Sequence, residues 1–297
     1  FKNNDVAEVF QEKNGWLLVK LNGIPGYINS SFTEKVDTST PGGSTDTGKL
    51  VGKVTAASLN VRSGPGDQHS KIGAVTIGQK VDVKALNGYW ATIDFNGKTG
   101  YVHKSYLKLL NQSAAPLKDR IIVIDAGHGA HDPGASGNGI IEKQLTLDVS
   151  KRVEAKLKNA GAKVLMTRSG DTYPSLSART EYAKKNFAEV FVSIHGNSFA
   201  SPSANGTEVF YSSQNPNSTE SRVLAQYIQN NIVKMANTTN RGVKQANYQV
   251  IRENNIAAVL VELGFMTNPS DAEKLKKNPD LFAEAIYQGL LQYYSVQ

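Results

Sequence analysis

The sequence predicts a small all-β region followed by a larger α/β domain, whose mixed, largely parallel sheet lies between helices. Residues 1–118 contain short alternating apolar runs separated by glycine-rich turns, a pattern typical of antiparallel strands. From residue 119 onward, strand patterns alternate with helical patterns, which favours a central parallel sheet with helices on both faces. With 297 residues, 39% of them hydrophobic, the chain is long enough to bury more than one core.

Composition divides the chain into segments. The stretch "TSTPGGSTDTG" (38–48) lacks large apolar residues and is typical of a flexible linker, and "NQSAAPLK" (111–118) predicts a shorter one. The predicted organisation is therefore a partial β domain (1–34), a linker (35–52), a β domain (53–109), a linker (110–118) and an α/β domain (119–297).

The β region contains an internal repeat. "WLLVKLNGIPGYINSSF" (Trp16–Phe32) aligns without gaps to "WATIDFNGKTGYVHKSY" (Trp90–Tyr106), at an offset of 74 residues. Each copy contains Asn-Gly, which supplies the positive backbone dihedrals of a two-residue hairpin turn. We therefore expect a β-hairpin at the same place in both copies.

The second copy resembles the bacterial SH3-like domain, a small β-barrel often attached to cell-wall enzymes. The resemblance depends mainly on "LNVRSGPG" (Leu59–Gly66) and covers residues 53–109, whereas residues 1–34 match only the last part of that fold. It implies binding to the stem peptides or cross-bridges of peptidoglycan. A purely structural spacer is the alternative.

The α/β region predicts a definite order of elements. "RIIVIDA" is a continuous apolar run of the kind found in a strand buried on both faces, and a helix with apolar residues every fourth position follows and ends near Gly161. Ser175 or Ser177 is expected to cap the next helix. The other predicted elements are the strands "AKVLMTR", "EVFVSIHG", "GTEVFYSS" and "AAVLVELGF" and the helices 217–236 and 279–295.

Four polar side chains lie near the ends of predicted strands or at the start of a predicted helix. His128 and His195 directly follow apolar strands, Glu262 lies near the end of another, and Glu142 begins a helix. Ligands of parallel sheets bind beyond the carboxyl ends of the strands, so these four can share one edge. The chain has no cysteine, and two imidazoles with a carboxylate are a familiar zinc ligand set. Each histidine taken alone also fits an ordinary turn residue.

Four blocks of the α/β region resemble the zinc-dependent N-acetylmuramoyl-L-alanine amidases of the type-3 family. They are "IDAGHGAHDPGASG", "GIIEKQLTLDVSKRVEAKLKNAG", "LSARTEYAKKNFAEVFVSIHGNS" and "AAVLVELGFMTNPSDAEKL". The resemblance implies a three-layer fold, Zn²⁺ held by His128, Glu142 and His195, and Glu262 as catalytic acid/base. It further implies hydrolysis of the bond between the lactyl group of N-acetylmuramic acid and L-alanine.

That resemblance also sets expectations about partners and place of action. The expected substrate is peptidoglycan, and the expected location is secreted and associated with the cell wall, although no signal in the chain indicates secretion. The formal charge of +7, with 14 Lys and Arg against 9 Asp and Glu in residues 1–118, suits anionic wall polymers. No nucleic acid, no membrane insertion and a monomer are expected.

Two other functions stay open from the sequence. A zinc peptidase cutting within the stem peptide would use the same metal chemistry, and a non-catalytic wall-binding protein would keep a degenerate hydrolase domain. The intact set of four residues argues against the second alternative. Among nearby residues, we expect Asp125 to orient the turn or a ligand's second nitrogen and Arg179 to form a structural ion pair on its helix. We also expect Asn197 to contact substrate and His131 to lie at the rim.

Overall fold

The computed structural model describes residues 8–13, 15–21, 24–33, 50–111 and 115–295. Most of the predicted linker 35–52 therefore lies outside the described residues, as do residues 1–7 of the partial domain and 112–114 of the second linker. None of the helices in the described ranges combines the length and apolar character that crossing a membrane requires.

The first repeat copy supplies two strands of a three-stranded antiparallel meander, and the residues before it supply the other. The strands of the meander are β1 (Glu8–Lys13), β2 (Trp16–Leu21) and β3 (Ile24–Asn29). Leu18 of β2 is 7% exposed and belongs to the same hydrophobic core as the helices of the α/β domain. The meander therefore packs on the larger domain. The predicted Asn22-Gly23 turn lies outside the described residues.

The second repeat copy lies within a seven-stranded antiparallel sheet. The strands of this sheet are β4 (Leu50–Val54), β5 (Ser58–Arg62), β6 (Lys71–Thr76), β7 (Lys80–Asn87), β8 (Trp90–Phe95), β9 (Lys98–His103) and β10 (Leu107–Asn111). They lie side by side in the order β10-β4-β7-β8-β9-β5-β6. Val61, Ile93 and Val102 are fully buried between them. Asn96 and Gly97 both have positive φ (53° and 76°), which confirms the predicted hairpin turn between β8 and β9.

The α/β domain is built on a six-stranded mixed sheet with the order β14-β11-β15-β18-β16-β17, in which only the β16–β18 pair is antiparallel. A separate two-stranded ribbon, β12 and β13, precedes the first helix. The strands are β11 (Ile121–Ala126), β12 (Ser136–Gly137), β13 (Ile140–Ile141), β14 (Lys163–Met166), β15 (Val190–Asn197), β16 (Thr207–Tyr211), β17 (Asn240–Gln245) and β18 (Ala257–Phe265). The helices are α1 (Glu142–Asn159), α2 (Leu176–Lys185), α3 (Ser218–Ala236), α4 (Gln249–Arg252), α5 (Pro269–Lys277) and α6 (Pro279–Ser295).

Helices cover both faces of this sheet. One core joins α1, α3 and α6 to one face, and a second core joins α2 and α4 to the other. The predicted three-layer α/β class and the largely parallel sheet are confirmed, whereas β12, β13, β17, α4 and α5 had no counterpart in the sequence prediction. Local signals also agree, since Ser175 Oγ accepts a hydrogen bond from the Ala178 N–H at the start of α2.

The seven-stranded sheet of β4 to β10, called the barrel from here on, is docked on the α/β domain through polar and aromatic contacts. Lys104 Nζ donates to the Phe187 carbonyl at 2.6 Å, and Thr55 Oγ1 donates to Asn217 Oδ1 at 3.0 Å. Lys108 Nζ lies 4.0 Å from the centroid of the Tyr293 ring on α6, a cation–π contact. These contacts hold the barrel beside the amino-terminal edge of the central sheet, because Phe187 lies three residues before the first residue of β15.

The crossing of α3 and α6 depends on a glycine. A Cβ added at Gly289 would lie 2.8 Å from Ile228 Cα and 2.9 Å from Ile228 N, so the backbones are already at van der Waals distance. We expect Gly289→Ala to separate the helices and lower the free energy of unfolding by about 1–3 kcal/mol, measured by denaturant titration. Gly170→Ala is the matched control, because no atom lies within 4 Å of its added Cβ. Equal stability of the two variants would contradict this account of the packing.

Candidate active site

Three adjacent strands bring the predicted site residues to one edge of the sheet. β11 pairs with β15 so that Ala126 lies opposite Ile194, and β15 pairs with β18 so that His195 lies opposite Glu262. His128 follows β11 by two residues. Parallel strands end at the same edge, so both histidines and Glu262 converge there.

Glu142 completes a compact cluster with the two histidines. Its Oε1 lies 2.9 Å from His128 Nε2 and 2.9 Å from His195 Nδ1, and the two imidazole centroids are 4.9 Å apart. One ligand atom from each residue lies within 4.8 Å of the others, close enough to share a metal ion. Two ring nitrogens and a carboxylate oxygen are a donor set that suits a divalent transition metal.

The Glu142 carboxylate is held in place by backbone amides. The Ala135 N–H donates to its Oε2 at 2.8 Å, and the Gly196 N–H donates to its Oε1 at 3.2 Å. Burial opposes ionisation of this group, but hydrogen bonds from His128 and His195 outweigh it and hold the pKa of Glu142 well below its usual range. The group is thus a carboxylate at neutral pH, the form that binds a cation.

His128 has a second carboxylate partner that the sequence prediction missed. Its Nδ1 lies 2.8 Å from Asp132 Oδ2, which fixes the ring and leaves Nε2 directed at Glu142. Burial lowers the pKa of His128, but the hydrogen bonds with Glu142 and then Asp132 raise it overall. Spacing alone gave no signal for this contact, because Asp132 reaches the ring only through the irregular turn between β11 and α1.

Two glycines in that turn are required by close approach to the site. A Cβ at Gly127 would lie 2.4 Å from His195 Cε1, and a Cβ at Gly134 would lie 2.6 Å from Glu142 Oε2 and 2.8 Å from His128 Cδ2. Gly134 also has a φ of 66°, which L-residues rarely adopt. The small residues of the motif therefore leave space for the cluster.

Glu262 lies beside the cluster, in a largely apolar strand. Its Oε2 is buried and has no hydrogen-bond partner among the described residues. Burial raises the pKa of Glu262 to about 7; the His195 ring opposes this shift, and the Glu142 and Glu208 carboxylates add to it. A buried carboxyl group with a free oxygen is suited to exchanging protons with a bound molecule.

Two buried arginines hold the carbonyl groups of the turn. Arg179 donates to Asp125 Oδ1 at 2.6 Å and to the carbonyls of Ala126 and His128 at 2.8 Å and 3.0 Å. Arg168 donates to the carbonyls of Ala126 and Gly127 at 2.9 Å and 2.8 Å. Arg179 thus forms a structural ion pair, but the prediction that this pair lies on its own helix is wrong, because the partner Asp125 lies on β11. The role of Arg168 had no counterpart in the sequence prediction.

Asp125 contributes to the turn without reaching a histidine. Its oxygens accept from Thr167 Oγ1, Ser193 Oγ and Arg179 Nη1, each at 2.6 Å. Burial opposes ionisation, but the charge of Arg179 and these hydrogen bonds outweigh it and lower the pKa of Asp125. Of the two roles considered for Asp125, the structure shows contacts that orient the turn, while Asp132 bonds the second nitrogen of His128.

Polar groups on the rim complete the surroundings. Asn197 Nδ2 donates to Glu208 Oε1 at 2.7 Å, and Arg241 and Lys244 donate to Glu208 Oε2 at 2.9 Å and 2.5 Å. Glu208 lies opposite Glu262 in the sheet. His131 stands outside the cluster, with its ring 4.5 Å from that of Tyr173. Neither β17 cation was singled out from the sequence, because β17 has no apolar periodicity.

Comparison with known families assigns both parts of the chain. Residues 122–292 match the N-acetylmuramoyl-L-alanine amidase family, and residues 57–108 match the bacterial SH3 domain family. The first match contains His128, Glu142, His195 and Glu262, and the second contains β5 to β9.

Individual relatives carry related names. N-acetylmuramoyl-L-alanine amidase LytC of Bacillus subtilis (strain 168) is 42% identical over 189 residues, which are 63% of this chain but only 38% of that protein. The probable cell wall amidase LytH of Staphylococcus saprophyticus is 35% identical over 247 residues, 79% of this chain and 81% of that one.

Solved structures agree with the fold. The catalytic domain of CwlV, an N-acetylmuramoyl-L-alanine amidase from Bacillus (Paenibacillus) polymyxa var. colistinus, has a TM-score of 0.56 and 36% identity, covering 60% of this chain and 99% of that one. The CwlD amidase of Clostridioides difficile, solved with the GerS lipoprotein, has a TM-score of 0.57 and 30% identity, covering 60% and 100%.

The turn stores strain that one substitution should relieve. Ala130 has a φ of 46°, and its amide and carbonyl are bonded to Asp171 and Lys143. A non-glycine residue there costs about 1–3 kcal/mol, so we expect Ala130→Gly to raise the free energy of unfolding by about 1 kcal/mol after the added chain entropy. Thermal unfolding of the purified variant measures the change.

Ala200→Gly is the matched control, because Ala200 is exposed and has an ordinary φ. Glycine there increases only the entropy of the unfolded chain, so this variant should be slightly less stable than the parent. If Ala130→Gly lowered stability by the same amount, the strain assigned to the turn would be refuted.

Proposed function

Because this chain belongs to the N-acetylmuramoyl-L-alanine amidase family, we propose that it hydrolyses the amide bond between the lactyl group of N-acetylmuramic acid and the L-alanine of the stem peptide. The observation that carries this proposal is the convergence of His128, Glu142 and His195 on one point beside the unpartnered oxygen of Glu262. All four lie within the part of the chain that matches the family.

We propose zinc as the metal, held by His128 Nε2, His195 Nδ1 and the Glu142 carboxylate. The residues fit such an ion, since three donor atoms already face one another and the chain offers no thiolate competitor. Zinc bound there would supply Lewis acidity, which polarises a carbonyl group and makes water a better nucleophile near neutral pH.

Glu262 would carry the proton through the reaction. Its buried Oε2 is free to accept the proton of the attacking water, and the same oxygen can then give that proton to the departing amine of L-alanine. The rest of the chain positions this exchange: Asp132 orients His128, and the amides of Ala135 and Gly196 orient Glu142. The products would be a glycan strand and a free stem peptide.

The β domains would keep the enzyme on its insoluble substrate. We propose that the barrel binds peptidoglycan and that a basic N-terminal half assists binding to anionic wall polymers, so that attachment raises the local concentration of bonds to be cleaved. On this proposal the protein is secreted, acts in the cell wall as a monomer and binds no nucleic acid. We also propose that the chain is divided into a partial β domain (1–34), a β domain (53–109) and an α/β domain (119–297), with linkers between them.

The product chemistry tests the proposed reaction. Purified peptidoglycan digested with the full chain should release stem peptides that carry a free L-alanine amine, detected by mass spectrometry, and a chelator should abolish release. New amines elsewhere in the stem or cross-bridge would identify a zinc peptidase instead. Bound zinc without any release would indicate a wall-binding protein.

Substitutions separate the proton carrier from the metal ligands. Glu262→Gln should retain zinc and lose at least about 10²–10⁴-fold in turnover, because general acid–base catalysis contributes that much. His195→Ala should lose both activity and metal, measured by elemental analysis of the purified protein. Glu181→Gln on the surface of α2 is the control and should change neither quantity. Near-normal turnover of Glu262→Gln would refute the assigned role.

A further inference from the structure

A cavity lies between the barrel and the α/β domain, on the opposite edge of the sheet from the candidate active site. Its volume is about 430 Å³, and Ile121 and Lys163, the first residues of β11 and β14, line it. The active site lies past Ala126, the last residue of β11, which is about 17 Å along the strand from Ile121 at 3.3 Å per residue. The cavity is thus separate from the chemistry described above.

The polar lining of this cavity is mostly cationic. Four cations and two carboxylates contribute, namely Lys104, Lys118, Arg120, Lys163, Asp119 and Glu189. Lys104 comes from the barrel, Lys118 from the end of the predicted linker, and Arg120 and Lys163 from the α/β domain. The lining therefore carries a net positive charge contributed by both domains.

Two of these cations are buried and share a single carboxylate. Lys104 and Arg120 are each 3% exposed. Arg120 Nη1 lies 3.2 Å from Glu189 Oε2, and Lys104 Nζ lies 3.9 Å from Glu189 Oε1. One carboxylate carries one negative charge against these two cations. The Lys104 ammonium group also donates to the Phe187 carbonyl, and burial lowers the pKa of Lys104, so an anion in the cavity would favour its charged form. Burying such a charge is costly unless a further anion compensates it.

Two more lysines extend the charge to the mouth of the cavity. Lys118 is exposed, and Lys163 is paired only loosely with the exposed Asp119, at 3.7 Å. Leu50, Leu86 and Phe187 supply an apolar wall beside them. A compact oxyanion would therefore meet guanidinium and ammonium donors, and an attached carbon chain would have apolar surface to contact.

We propose that this interdomain cavity, lined by Lys104, Lys118, Arg120 and Lys163, binds a phosphate group, either as a free ion or as the phosphodiester of an anionic polyol polymer. The bound group bridges cations of the barrel and of the α/β domain, so it stabilises their docking. Since the cavity lies at the opposite edge of the sheet from the candidate active site, a polymer held there leaves that site accessible.

Binding of two probes by the full chain tests the proposal. We expect saturable binding of inorganic phosphate, or of a synthetic poly(glycerol phosphate) oligomer, by calorimetry at constant ionic strength. Tighter binding of the oligomer per phosphate group identifies the phosphodiester as the ligand, and binding of inorganic phosphate alone identifies the free ion. Acetate at the same concentration should not bind, and equal binding of acetate would overturn the assignment to phosphate.

The double variant Lys118→Gln with Lys163→Gln locates the binding. Both side chains are exposed, so the variant should fold normally. We expect its dissociation constant to rise about tenfold, or about 1.4 kcal/mol in binding free energy, for the loss of two screened lysine charges. Lys98→Gln with Lys151→Gln is the matched control, since both lysines are exposed and neither lines the cavity. Phosphate bound at the candidate metal site would be unaffected by either pair. Unchanged binding in the cavity variant, or no saturable binding of either probe to the parent, would overturn the proposal.

Discussion

The candidate active site depends on how two buried guanidinium groups hold the turn that follows β11. Arg168 and Arg179 together bind the carbonyls of Ala126, Gly127 and His128, groups that a tight turn at the end of a buried strand leaves without partners in the sheet. Asp125 balances the charge of Arg179 inside the domain. Losing either partner of that pair would leave a buried charge uncompensated, so the turn and its histidine are fixed together with the fold.

Backbone strain and close packing in the turn also contribute to the positions of the candidate site residues. His128 itself has a φ of 61°, an unfavourable conformation for a residue with a side chain, and the surrounding hydrogen bonds compensate for it. Gly127 and Gly134 then allow the imidazole and carboxylate groups to approach within contact distance. The turn therefore holds the donor atoms of His128, Glu142 and His195 close together, as the proposed metal site requires.

At the other end of the sheet, contacts with the barrel likewise compensate for an unfavourable backbone conformation. Phe187 has a φ of 54° at the position after α2 where glycine is usual, and its carbonyl accepts from Lys104 while its ring packs edge-on against Tyr89, with centroids 5.0 Å apart. A bulky residue in that conformation is explained by its contacts with the other domain. The candidate active site at one edge and the interdomain contacts at the other thus use opposite ends of the same sheet.

By itself, the sequence determined the order of the main strands and helices, the Asn96-Gly97 turn and the placing of His128, His195 and Glu262 at one edge, because apolar periodicity and turn chemistry are local properties. It did not indicate β17, α4, α5 or the ribbon of β12 and β13, which are short or lack such a periodicity. Only the tertiary structure decided that Asp132 orients His128, that Asp125 serves the turn, that Glu208 faces Glu262, and that Lys104 and Arg120 share Glu189. These contacts join segments by way of irregular turns or across separate elements, and their geometry depends on how the whole chain packs, which no local pattern encodes.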